Sequence, residues 1–101
     1  MKNIEDHFHL LRKIDKKPYS SQRELAYNLG FSLGKLNYCL NELKKKGFIK
    51  FKNFKENKKK ISYLYVLTPS GMEMKKNLLV SFMKKKMNEY DELKNEMKDL
   101  K

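Results

Sequence analysis

SQRELAYNLGFSLGKLNYCLNELKKKGF, residues 21–48, is the stretch on which the fold turns. It opens on a capping box: the Ser21 hydroxyl can accept from the Glu24 amide while the Glu24 side chain reaches back to the Ser21 amide, so a helix starts there. Leu25, Ala26 and Leu29 form its inward stripe, and Gly30 supplies the left-handed residue that ends it. Only Phe31 separates that end from Ser32, which caps a second helix running to about Lys46. In this helix Leu36, Leu40 and Leu43 point inward and Gly47 is the terminator. Two helices joined by so short a turn must cross steeply. A helix-turn-helix needs a small residue where the helices touch, a flexible turn residue, and apolar residues that lock the pair. Ala26, Gly30 and the set Leu25, Leu36 and Leu40 meet those needs.

Upstream, Asn3–Ile14 places Ile4, Phe8, Leu11 and Ile14 on one face of an amphipathic helix, which Pro18 brings to an end. Downstream of Gly47 the period changes to two. Phe48, Lys50 and Lys52 alternate with Ile49, Phe51 and Asn53, and Ile61–Leu67 is a second β-rich run. The charged loop KENKKK, residues 55–60, joins them into a hairpin. In LTPSG, residues 67–71, Thr68 can cap and Pro69 takes the first helical position, so a last helix begins near residue 69. Without an internal breaker it reaches Leu100 and is roughly 45 to 50 Å long at 1.5 Å per residue. That is more helix than a domain of this size covers. The expected architecture is mainly α with a small β-hairpin (α+β). Residues 1–71 form a winged helix-turn-helix domain and residues 72–101 a C-terminal helix for dimerisation.

Charge narrows the partner. Lys and Arg number 24 against 12 Asp and Glu, a formal net charge of +12. Such a surface repels itself unless an anion answers it, which nominates nucleic acid or an acidic membrane. Residues 1–70 hold 16 basic and 6 acidic side chains, and residues 71–101 hold 8 and 6, so the excess belongs to the first two-thirds. Between Lys35 and Lys60 ten Lys face only Glu42 and Glu56, which marks that stretch for the anion contacts. No apolar run approaches a membrane span and the start, MKNIEDHFHLL, lacks a signal-peptide core, so a cytoplasmic protein without membrane contact is expected.

With its locking residues inward, the second helix of the motif presents Ser32, Leu33, Gly34, Lys35, Asn37, Tyr38 and Asn41 outward. Asn37 and Asn41 can donate and accept in pairs at base edges, Lys35 can reach phosphate or guanine, and Gly34 lets the backbone come close. A solvated polar face is the bland alternative; the adjoining basic hairpin and the charge asymmetry favour double-stranded DNA. Lys55, Lys58, Lys59 and Lys60 would follow the phosphate backbone as a wing. Ser21 and Gln22, at the amide-rich start of the first motif helix, could hold a phosphate oxygen, although Ser21 already serves as a cap.

On the terminal helix Leu79, Met83, Lys86, Tyr90, Leu93, Met97 and Leu100 recur at four and three, widened by Phe82 and Met87, which suggests pairing between subunits. Folding of this stripe onto the first helix of the same chain is the alternative. Lys86 interrupts the apolar seam.

Other chemistries have less support. His7 and His9, two apart on a helix, face different ways and cannot chelate one ion together. The single Cys39 has no partner for a disulfide and no CxxC companion. It packs near the core of its helix, and a redox role would need a depressed pKa. The Met residues of the last helix are explained by packing. No catalytic triad, P-loop or paired-acid set is recognisable, so neither an enzyme nor a cofactor is expected. Two rival readings remain. A protein-binding winged helix would carry an apolar patch on its second motif helix. An RNA-binding module would use exposed aromatics, of which Tyr38 and Tyr63 are the nominees.

The run SQRELAYNLGFSLGKLNYCLNELKKKGFIK with LTPSG resembles the winged helix of the MarR regulators. Extended through YLYVLTPSGMEMKKNLLVSFMKKKMNEYDEL, it is similar to the exopolysaccharide (EPS)-associated MarR subgroup. The resemblance covers nearly the whole chain, and SLGKLNYCL is its most specific part. It implies a bacterial homodimer on a pseudo-palindromic operator, the second motif helix in the major groove and the hairpin as wing, with surface-polysaccharide genes as targets. The Asp-x-Arg pattern of the MarR wing is replaced by Lys58–Lys60, and Lys lacks the bidentate geometry of Arg. The shorter first helix and single C-terminal helix depart from the family's ligand-binding dimer domain and argue against a small-molecule effector.

Overall fold

A computed structural model describes residues 4–18, 20–57 and 60–100, with backbone alone for 53–57 and 60–63. The chain runs α1 (Ile4–Lys16), α2 (Gln22–Leu29), α3 (Leu33–Lys45), β1 (Ile49–Asn57), β2 (Lys60–Leu67) and α4 (Pro69–Asp99). It is mostly helical with one antiparallel two-stranded hairpin and a long C-terminal helix, the winged helix-turn-helix layout expected from the sequence.

The helix ends follow local chemistry. Ser21, Ser32 and Thr68 adopt extended backbone at the N-caps of α2, α3 and α4, and their hydroxyls accept from the amides of Glu24, Lys35 and Gly71. Ser21 also donates to the Glu24 carboxylate at 3.4 Å, so this pair meets side chain to side chain. Gly30 takes φ 69° and Gly47 φ 77°. Each lets the next residue's amide return to the helix, Phe31 to the Ala26 carbonyl and Phe48 to the Leu43 carbonyl.

The core is built from Phe8, Leu10, Leu11 and Ile14 of α1, Leu25 and Ala26 of α2, Leu36, Cys39, Leu40 and Leu43 of α3, with Ile49, Tyr65 and Leu78 closing it. Three residues of α1 depart from the expected face. Ile4 is 41% exposed, whereas His7 is 2% and Leu10 0% exposed. The inward arc of α1 is therefore centred between His7 and Leu11, because α1 is covered by α2, α3, β2 and α4 together.

The hairpin is longer than the alternating pattern suggested. Pairing runs from Ile49 with Leu67 to Lys55 with Ile61, then shifts to pair Asn57 with Lys60. Lys55, Glu56 and Lys60 thus lie in the strands rather than in a loop, because backbone pairing propagates until the turn requires release.

The root of α4 is bound tightly to the root of β1. The Thr68 amide donates to the Phe48 carbonyl and its hydroxyl to the Gly47 carbonyl. A Cβ on Gly71 would stand 1.8 Å from the Phe48 oxygen, so only glycine fits. From there α4 follows α1: Leu78 is buried, Lys75 pairs with Asp15, and the rings of Phe82 and Phe8 stack at 4.7 Å. Beyond Phe82 every described residue of α4 is exposed, and the molecule is 68 Å long against widths of 25 and 22 Å.

Candidate nucleic-acid interface

Burial of Leu36, Cys39, Leu40 and Leu43 fixes the rotation of α3, and the opposite face is open. Ser32, Leu33, Gly34, Lys35, Asn37, Tyr38 and Asn41 are all exposed. Leu33 and Tyr38 are over half exposed. Nothing lies within 4 Å of the position a Cβ on Gly34 would occupy. Glycine inside a helix costs roughly 0.5–1 kcal/mol relative to alanine. No packing within the chain requires glycine at this position.

Lys35 is not a freely swinging cation. Its ammonium lies 3.2 Å from the Asp6 carboxylate of α1 and 4.4 Å above the Phe31 ring. A phosphate or guanine reaching Lys35 must compete with Asp6. Sequence reading missed Asp6, since nothing local links an acid in the first turn of α1 to the first turn of α3.

At the start of α2 the Ser21 hydroxyl is occupied by its cap. Gln22 donates to the Tyr65 hydroxyl of β2 at 3.1 Å. Tyr65 in turn meets Phe51 of β1 edge to face at 5.0 Å, and the Lys44 ammonium sits 5.4 Å from the Phe51 ring. Gln22 therefore braces the wing against the helix pair through a side chain that would otherwise be available to an anion. Tyr65 was legible only as part of a β-rich run, because its partner is 43 residues away in the chain.

The wing carries exposed Lys50 and Lys52 on β1. Lys55 and Lys60 occupy strand positions whose side chains, like that of Tyr63, lie outside the described residues, as do Lys58 and Lys59 altogether. Lys44, Lys45 and Lys46 are exposed at the end of α3, where cations also complement the helix dipole.

The dimerisation set divides in two. Phe82 is spent on Phe8 within its own chain, and Leu79, 42% exposed, lines the groove beside it with Arg12 and Met83. Met83, Met87, Tyr90, Leu93, Met97 and Leu100 are uncovered, from 59% exposed at Met83 to 85% at Leu100. Lys86, in the same seam, is 3.6 Å from the Glu89 carboxylate on its own helix.

Two titratable groups lie behind α3. Burial pushes the Cys39 thiol above its ordinary value, with Asp6 adding to the effect, the opposite of what a reactive thiolate needs. His7 is held below its ordinary value, first by burial and then by the Lys46 charge. Among the described residues no three His, Cys, Asp or Glu side chains converge on a metal position, and no helix is long and apolar enough to cross a membrane.

Residues 7–50 match the family model described as winged helix-turn-helix DNA-binding, a span covering most of α1 through the start of β1. No curated protein matches the chain. Among solved structures, Streptococcus pneumoniae FabT in complex with DNA superposes with a TM-score of 0.65 at 22% identity, over 86% of this chain and 59% of FabT. Staphylococcus aureus MarR in complex with salicylate and kanamycin gives 0.69 at 20% identity, over 86% of this chain and 57% of MarR. Bacillus subtilis PadR in complex with operator DNA gives 0.61 at 20% identity, over 73% and 46% respectively. The chain thus spans roughly half the length of the solved proteins it resembles. The chain thus shares the winged helix-turn-helix fold of these structures.

Proposed function

We propose that the protein is a sequence-specific, double-stranded DNA-binding transcription regulator that acts as a homodimer. The carrying observation is the outer face of α3, which holds Asn37, Asn41 and Lys35 beside a glycine that no residue of the chain packs against. A helix of this width enters the major groove, Asn37 and Asn41 pair with base edges, and Gly34 brings the helix backbone close. Leu33 and Tyr38 supply apolar contact to base methyl groups and sugars. Lys44, Lys45, Lys50 and Lys52 neutralise phosphates on either side, joined by the wing lysines Lys55, Lys58, Lys59 and Lys60. Ser32, Ser21 and Gln22 orient the elements that carry these groups and lie at the edge of the same surface. The DNA complexes of FabT and PadR support the same reading.

The seam of α4 is the proposed dimerisation surface, residues 72–101 serving it and residues 1–71 the DNA. Two heads so joined read an inverted repeat, and the resemblance to the exopolysaccharide-associated subgroup nominates surface-polysaccharide genes as the regulated set. The outer face of α3 sets Lys35, Asn37 and Asn41 beside Leu33 and Tyr38, a more polar and cationic surface than an apolar docking patch, which favours duplex over a protein partner.

The test is selection of bound fragments from genomic DNA, followed by competition among the selected duplex, random duplex, hairpin RNA and single strands. Asn41→Ala is expected to weaken the selected duplex by on the order of ten-fold or more, the worth of one base contact, while barely changing random duplex. Equal losses on both would refute base reading. Preference for single strands or RNA would refute the function.

A further inference from the structure

We infer that the exposed seam of α4 takes a second copy of this chain as a parallel, in-register coiled coil that sets both winged-helix heads at the same end of the rod. This pairing rests on the homodimer proposed above and adds its direction and register.

The heptad frame is set by the uncovered residues. Met83, Tyr90 and Met97 occupy the first core position of successive repeats, and Lys86, Leu93 and Leu100 the second. The outward positions of the same frame hold Lys84, Lys85, Asn88, Asp91, Glu92 and Asn95, all polar, so the frame has one apolar side. Direction is decided by the positions flanking the core. Glu89 and Glu96 stand on one flank, Met87 and Lys94 on the other. In a parallel pair each residue of the first flank meets the next repeat's residue on the partner's second flank, which sets Glu89 against Lys94 twice by symmetry. In an antiparallel pair like flanks meet, which over the fully overlapped seam sets Glu89 against Glu96 and leaves Lys94 beside Met87 with no acid to answer it. The charges therefore favour the parallel arrangement. Two Lys86 then face each other across the seam, and Glu89, 3.6 Å away on each helix, offsets that repulsion.

Function makes the same demand. An antiparallel rod would separate the heads by much of the roughly 46 Å length of a 31-residue helix and point them away from each other. The parallel rod leaves both α3 faces beside one duplex.

The experiment places one cysteine at Leu100, by Leu100→Cys, in the full chain. Cys39 is completely buried, and the unsubstituted chain is the control. Diamide oxidation should convert most of the variant into a disulfide-linked dimer, because in-register core positions face each other. Sedimentation of Glu89→Lys and of Lys94→Glu should each show dimer association weakened on the order of ten-fold, with the double exchange restoring it. A dimer by sedimentation that gives no Leu100→Cys cross-link, or that Glu89→Lys strengthens, overturns the parallel register while leaving the dimer standing. A monomer at all concentrations overturns the pairing altogether. Duplex binding measured on the same unsubstituted sample reports independently on the proposed function.

Discussion

The outer face of α3 and the distal face of α4 are similarly uncovered, yet they differ in chemistry. Tyr38 is 56% exposed and Met83 59%, but the first is set among Asn37, Lys35 and Asn41 and the second among Met87, Tyr90 and Leu93. Water solvates amides and ammonium groups well and apolar stripes poorly, so exposure has opposite meanings on the two helices. A polar, cationic face suits a polyanion that can match its donors. The longer apolar stripe on α4 suits another apolar stripe. Substitutions on α3 should therefore change what is bound without changing mass, and substitutions on distal α4 should change mass first.

The joint between the two faces gives the largest expected effect. Gly71→Val drives a side chain into the Phe48 carbonyl, and overpacking against backbone should destabilise the whole chain by about 3 kcal/mol or more. A urea midpoint equal to that of the unsubstituted protein would show that α4 does not depend on this close approach. Next in size, Leu93→Glu combined with Met97→Glu should halve the mass in light scattering. Loss of two-headed binding should lower duplex affinity by roughly a hundred-fold or more, while the head keeps its circular dichroism and melting behaviour. An unchanged mass would remove distal α4 as the dimer surface.

Acid probes the core behind α3. His7 is neutral in the fold, with its pKa held below the ordinary 6.5 by burial and by Lys46, while Glu42 and Asp6 pull the other way. A depressed histidine stabilises fully above the unfolded value. That contribution is lost as pH falls through 6.5 toward the folded pKa. The denaturation midpoint should drop below pH 6.5 in both the unsubstituted protein and the Leu93/Met97 variant, and His7→Leu should flatten the drop. An equal fall in the His7→Leu protein would assign it to other groups.

Gly34→Ala is the finest separation. With open space around the position, alanine should raise stability by about 0.5–1 kcal/mol through helix propensity while weakening the selected duplex. If affinity is unchanged, the glycine has no part in the approach of a partner.

Much of this molecule was legible in order along the chain. Ser21, Ser32, Thr68, Gly30 and Gly47 mark helix ends because a cap satisfies amides three residues away and a left-handed glycine closes a turn of five or six. The faces of α3 follow from the spacing of Leu36, Leu40 and Leu43, and so the outward set from Ser32 to Asn41 could be named in advance. Errors arose where pattern and packing diverge: Ile4 keeps the helical period but lies beyond the reach of the core, and the strands outrun their alternation because pairing is a property of two segments.

What the tertiary structure alone decided are the meetings of residues distant in sequence. Asp6 engages Lys35, Gln22 engages Tyr65, Phe8 stacks on Phe82, and Gly71 lies against Phe48. Each depends on the angle and depth at which whole elements cross, which is set by the packing of many side chains at once and leaves no mark at a fixed spacing. Local order was written residue by residue; the restraint on Lys35, the bracing of the wing and the division of α4 into a buried root and a free rod emerged when those pieces closed on a shared core.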